Sequence, residues 1–394
     1  MIEPRETQNP SQARSGAGRA AEDAASPLAE RLRRRILREG PITFHDWMRA
    51  ALYDEREGYY RRADAQRWGR AGDYRTSPER SRLFSATFAR YFAAVYEELG
   101  RPTPFHLVEA GGGAGHFAAG VLQTLERDAP RAFAATRYHF VETSEDARRR
   151  AAALLSAFSE RIEFCRLEEH EAPLDSCVVF SNELIDAFPV HRVVWRGGRL
   201  GELCVGLDAR GRFIETVCEP STPALAAHFE ALGVTPSEGQ AIEVNLEAEN
   251  WLALVGRSLG RGMVVTVDYG DDAESLFRSP ARREGTLRAF RRHNLAPDAL
   301  ADPGEQDLTS TVNWTHLVAA GERVRLRRVS LERQDEFLLR VGLLEQLERE
   351  SALARDGAEV TRLRLDAREM VLPDRMGARF QVLIQRKIDD WPQA

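Results

Sequence analysis

Lysine is almost missing from this chain. Lys387 is the only one, and arginine supplies the other basic residues among a total of 55. They are interspersed with 61 acids, for a net charge of -6, so no basic footprint for nucleic acid is expected. The arginine bias reads as genome composition rather than binding. Cysteine is scarce as well. Cys165, Cys177, Cys204 and Cys218 form no CxxC or CxxxH pair, so neither a disulfide framework nor a structural zinc is expected, no metal site is expected, and buried free thiols are. No apolar run approaches the roughly 20 residues that span a bilayer, so membrane insertion is not expected. Large apolar residues are nearly absent from residues 1–27, which predicts a disordered tail with no secretory signal. That stretch holds Arg and Ala, as transit peptides do, but Glu3, Glu6, Glu22 and Asp23 speak against one. A bacterial cytoplasmic location is the expectation.

What is present suits a large core. The 394 residues are 43% hydrophobic, enough for two or three domain-sized units. Helical patterning from Pro27 to Arg38 and again after Thr43 predicts an N-terminal helical cap segment over 28–100, with a further helix from Pro78 to about Leu99. FHLVEA, YHFVET, RIEFCR and SCVVFSNEL then alternate with amphipathic helices, which means βαβ units and a parallel sheet over 101–190. Residues 191–240 read as an antiparallel insertion with turns at Gly197-Gly198 and near Gly211. GMVVTVDYG returns to the core as a central strand, and 241–394 completes it. Residues 271–310 show no clear period and are too long for an idle connection, so a lid, a binding loop or disorder is expected there. A strand RVRLRRVS, a helix from Leu331 to about Glu348, a helix around 358–371 and a strand RFQVLIQRK close the chain.

Glu109, Gly111, Gly113 and Gly115 form E-x-G-x-G-x-G between a strand and a helix. The glycines let backbone approach a ligand, and the helix start offers unpaired N–H groups. His116 stands where a dinucleotide loop has its third glycine. An acid at Glu109 would sit poorly beside a pyrophosphate but suits the ammonium of S-adenosyl-L-methionine, so that cofactor is expected. Glu142 ends the second strand, where a carboxylate accepts two vicinal ribose hydroxyls. Leu167 and Glu168, after the third strand, are placed beside the adenine.

Several blocks together resemble the MidA family of methyltransferases: GDYRTSPERSRLF, the glycine loop, SNELIDAFPVHRVVW, VVTVDYG, GTLRAFRRH and DPGEQDLTSTVNW. The resemblance runs from about residue 40 to 386. It implies an α/β fold of class I, Rossmann-like, S-adenosyl-L-methionine-dependent methyltransferases: a mostly parallel sheet with helices on both faces. It further implies a protein arginine acceptor, as in the mitochondrial member that serves complex I assembly. Asp73, Thr76, Ser77 and Pro78 match the segment that closes over the cofactor, and Asn182, Glu183 and Asp186 match N-E-x-x-D after the fourth strand. The loop EAGGGAG departs from the family's common GPGRG, Arg80 replaces an apolar residue, and SATF replaces FGE.

A guanidinium is a poor nucleophile until carboxylates hold its non-reacting nitrogens. Glu183 is therefore the expected catalytic clamp with Asp186 assisting, the two sharing one face of a helical turn, while Asn182 joins the cofactor shell. His191, Tyr59, Tyr60 and Trp68 read as structural, and Arg288, Arg291, Arg292 and His293 as a solvated or lid-forming cluster. The expected partner is an arginine-containing protein. A small amine or guanidino metabolite as acceptor, or an assembly chaperone that keeps the cofactor site, are the alternatives.

Overall fold

In the computed structural model, residues 26–62, 81–170, 172–291, 294–372 and 379–387 are described. Seven strands build the central sheet: β1 (Phe105–Ala110), β2 (Thr136–Val141), β3 (Ile162–Phe164), β4 (Cys177–Asn182), β5 (Gly262–Asp271), β6 (Leu326–Arg333) and β7 (Phe380–Lys387). Their order is β6-β7-β5-β4-β1-β2-β3. The first five run parallel, whereas β7 is antiparallel to both β5 and β6. Val312–Asn313 adds a short parallel pairing to the end of β5.

Both faces of the sheet are covered, which is why its strands read as continuous apolar runs. The strand period of two divides each run between two cores. Val178 and Phe180 of β4 join Phe88 of the helix Arg82–Glu98 and Phe117 of the helix His116–Asp128. Cys177 and Val179 turn to the helices Leu246–Ser258 and Trp314–Arg323 on the other face.

The cap segment expected over 28–100 is split between two bodies. Its helices Pro27–Glu39 and Phe44–Tyr53 pack with Val190, Val205 and Leu308 in a third core, while Arg82–Glu98 lies on the central sheet. The antiparallel sheet also exceeds its expected limits of 191–240. Ala241–Val244 pairs with His191–Arg196, and Ile42–Thr43 pairs with Arg199–Leu207. Residues 271–310 are not an unstructured loop. They form a helix, Ala273–Arg278, and a small sheet centred on Arg288–Arg291, which pairs with Asn294–Leu295 and Asp307–Thr309. The helix expected from Leu331 starts only at Gln334, because β6 continues through Arg333, and Gly342 at φ 99° breaks it into Gln334–Arg340 and Leu343–Ala352.

Candidate active site

The strand order reverses between β1 and β4, the place where α/β sheets open a crevice at their carboxyl ends. A cavity of about 1310 Å3 lies there, walled by the glycine loop, the segments after β2 and β4, and the end of β5.

Glu109 lies near the end of β1, buried, and accepts the Tyr138 hydroxyl at 2.7 Å. Burial pushes its carboxyl up to about 8, against the opposing pull of that hydrogen bond. Gly111, Gly113 and Gly115 all take positive φ (72°, 54° and 85°), and Gly115 caps the helix His116–Asp128. Gly112 is required for a different reason: a Cβ there would lie 2.4 Å from the Phe140 ring. Glu142 follows β2 directly. Its carboxylate accepts the N–H of Gly113 at 2.9 Å and of Ser144 at 2.7 Å, so it clips the glycine loop to the next strand. Burial raises its proton affinity while these N–H groups lower it, the net direction being up.

Leu167 is buried and Glu168 exposed on the short turn Leu167–Glu169, and both line the cavity. Asn182, the last residue of β4, donates its amide to Glu183 at 2.9 Å. Its Oδ1 is buried with no hydrogen-bond partner among the described residues. Asp73, Thr76, Ser77 and Pro78 lie outside the described residues, as do Trp68, Arg292 and His293.

The expected helical turn at Glu183–Asp186 does not form. Glu183 stands at φ 50° and donates its N–H to the Val267 carbonyl at 2.9 Å, and the next residues run as turns and bends. The reason is tertiary. Asp268 of β5 accepts the N–H groups of Ile185 at 3.1 Å and Asp186 at 3.3 Å, and the Ser310 N–H donates to the Asp186 carbonyl at 2.9 Å. These partners satisfy the backbone of the segment in an irregular turn and tie it to the end of β5 and to Ser310.

Asp186 is 4% exposed, and its Oδ1 has no hydrogen-bond partner among the described residues. Burial, followed by repulsion from Asp268, Glu183 and Asp307, pushes its carboxyl well above the usual range. Asp268 is likewise raised to about 8 by burial. Asp307 accepts the Tyr60 hydroxyl at 2.6 Å, and the Arg288 guanidinium lies 5.9 Å from the centre of the Tyr269 ring. Three carboxyl groups, Glu183, Asp186 and Asp307, thus line the cavity, and a fourth, Asp268, lies buried behind the turn. In the sequence Asp268 marks only the end of an apolar strand, and Asp307 and Tyr269 carry no assigned role, although all three lie inside the blocks VVTVDYG and DPGEQDLT. An acid after an apolar strand was the available signal. His191 stays structural: its Nδ1 meets Glu202 at 2.8 Å and its ring stacks on His45. Arg291 pairs with Asp302 at 2.9 Å, and Tyr59 is packed in the third core.

Residues 87–330 match the model of the family described as "Putative S-adenosyl-L-methionine-dependent methyltransferase". The mitochondrial protein arginine methyltransferase NDUFAF7 homolog of Drosophila melanogaster is 29% identical, over 92% of this chain and 85% of that one. The human mitochondrial protein arginine methyltransferase NDUFAF7 is 26% identical, over 84% and 76%. A crystal structure from Burkholderia thailandensis bound to S-adenosyl-homocysteine superposes with a TM-score of 0.81 at 26% identity, covering 96% of both chains.

The expected cytoplasmic location needs correction, since the curated relatives from fly, rat and human are mitochondrial proteins. The fold is that of class I methyltransferases, as expected. With its glycine loop at the carboxyl edge of that sheet, the chain belongs to the MidA family of methyltransferases and uses S-adenosyl-L-methionine as its cofactor.

Proposed function

We propose that this enzyme methylates a guanidinium nitrogen of an arginine side chain in a partner protein. The observation that carries the reading is that Glu183, Asp186 and Asp307 line the cofactor cavity, with Asp268 buried behind them. Like charges that crowd a buried site hold protons they would otherwise lose, and a cation placed among them relieves that cost. A guanidinium is planar, permanently charged and rich in donors, and suits such a set of carboxylates. The protein arginine methyltransferases among the relatives favour the same acceptor.

The residues present fit the cofactor. The buried Oδ1 of Asn182 lacks a donor, and an ammonium supplies one. Glu109 adds a carboxylate for that ammonium. Glu142, with lone pairs left beyond its two N–H bonds, takes the ribose hydroxyls. The backbone of Gly111, Gly113 and Gly115 permits close approach, and Leu167 and Glu168 border the adenine. When bound, the cofactor supplies an electrophilic methyl group on a sulfonium.

The acceptor side falls to Glu183, which holds the non-reacting guanidinium nitrogens and aims the third. Asp268 positions Glu183 and Asp186 through the backbone of the turn between them. Transfer releases one proton; with a guanidinium cation seated among the carboxyl groups Asp186 gives up its own proton to solvent, and its carboxylate is then placed to take the one released.

The test pairs two measurements on Glu183→Gln. Cofactor affinity by calorimetry should change little. Methyl incorporation into a target found by labelling a host lysate should fall about a hundredfold or more, the scale for one well-placed electrostatic group. Equal loss of both would assign Glu183 to the cofactor shell. Label entering only small molecules would favour the metabolite acceptor, and a wild type that binds cofactor but transfers nothing would favour the chaperone.

A further inference from the structure

His139, Cys165 and His170 lie away from the acidic end of the cavity, yet their ligand atoms come together within 4.8 Å. They arrive from separate segments. His139 is on β2 and pairs in parallel register with Glu163 of β3. Cys165 follows two residues later, hence on the same face as Glu163. His170 comes after the turn Leu167–Glu169.

The Cys165 Sγ is 3.7 Å from His170 Nε2 and 4.0 Å from His139 Nδ1, and a Glu163 carboxylate oxygen lies 3.3 Å from His139 Nδ1. Tetrahedral zinc has bonds of about 2.3 Å to sulfur and about 2.0–2.1 Å to nitrogen or oxygen, which place neighbouring donors roughly 3.3–3.6 Å apart. The observed separations are within a few tenths of an ångström of those edges.

The outer partner is in place as well. His139 Nε2 meets His106 Nδ1 at 2.8 Å. A ligating histidine characteristically donates its other ring N–H to such an acceptor, which orients the ring and selects the ligating nitrogen. Cys165 and His139 are buried at 8% and 4% exposure, while Glu163 opens to solvent and leaves a path of entry.

We infer that His139, Cys165 and His170 form a binding site for a thiophilic divalent cation of the zinc type, with a fourth position open on the side of Glu163 and solvent. The site would clip the edge strand to the turn whose Leu167 and Glu168 line the cavity. The ligands escape a reading by spacing because the chain supplies them from both sides of a parallel pairing, with only C-x4-H locally. The inference stands independently of the acceptor proposed above.

The test uses the full chain, stripped with a chelator and titrated with Co2+ and then Zn2+. One equivalent of Co2+ should bind with a thiolate-to-metal charge-transfer band, and Zn2+ should displace it and raise the unfolding temperature. Cys165→Ser should abolish the band and weaken Zn2+ by at least about a hundredfold, and His106→Ala should weaken it about ten- to hundredfold. Cys218→Ser should leave both unchanged. Circular dichroism of the metal-free variants checks their folding, and His170→Ala, at a less buried position, decides if Cys165→Ser does not fold. A missing band in wild type overturns the inference, as does Zn2+ affinity retained in both Cys165→Ser and His170→Ala.

Discussion

Replacing Glu142 by alanine should do more damage than the loss of a ribose contact. In this fold the carboxylate holds two backbone donors, Gly113 N–H at 2.9 Å and Ser144 N–H at 2.7 Å. A hydrogen bond to a charged group contributes about 1.5–3 kcal/mol, and truncation leaves both donors searching for water at the cavity wall. Because the two donors share one carboxylate, their losses do not add fully. A fall in stability of about 1.5–3 kcal/mol is therefore expected without cofactor, seen in chemical denaturation as a lower midpoint at unchanged slope. Cofactor binding then loses its ribose partner, on the order of 1.5–3 kcal/mol, and must also re-order the glycine loop. Because the lost clip weakens the free and the bound protein alike, only the ribose share and the re-ordering reach Kd, a rise of roughly tenfold to a few hundredfold. A ribose contact alone would give only about ten- to a hundredfold. Glu142→Gln keeps a single acceptor and should fall between. Calorimetry measures the affinity, and amide exchange at Gly113 reports the clip directly. Wild-type stability together with unchanged exchange at Gly113 would refute the clip, and an unchanged Kd would remove Glu142 from the cofactor site.

Gly112→Ala should destabilise by about 1–3 kcal/mol, since its Cβ would press on a core ring that cannot yield, and thermal unfolding would show it. The cofactor-free protein should lose stability as pH rises from about 4 to about 8. Asp268 and Glu109 hold protons up to about 8 when folded but release them near their ordinary values when unfolded, so the native state binds more protons across that window. Denaturation midpoints across this range check the slope, and Asp268→Asn should flatten it. Tyr138→Phe removes the one hydrogen bond that holds Glu109 down, so cofactor affinity at neutral pH should drop several-fold and recover at higher pH, as calorimetry at two pH values would show.

The sequence by itself determined the parallel core and several of the residues that line the cavity. Strand and helix periods are local, and so is the demand for positive φ at Gly111, Gly113 and Gly115. Those features, with acids at strand ends, were enough to bring Glu109, Glu142, Leu167 and Glu168 to one cavity, while Asn182 came from the resemblance to the family's N-E-x-x-D block. The tertiary structure decided the rest. The irregular turn at Glu183–Asp186 is held by Val267 and Asp268, more than eighty residues downstream, which accept the N–H groups of Glu183, Ile185 and Asp186. The direction of β7 and its place between β5 and β6 depend on which edge remains free after the parallel strands have formed. The antiparallel sheet gathers Ile42–Thr43 and Ala241–Val244 from outside the segment that announces it. In each case the missing information is the identity of a distant hydrogen-bond partner. Periodicity records which face of an element is apolar, but not which remote backbone or carboxylate will meet it.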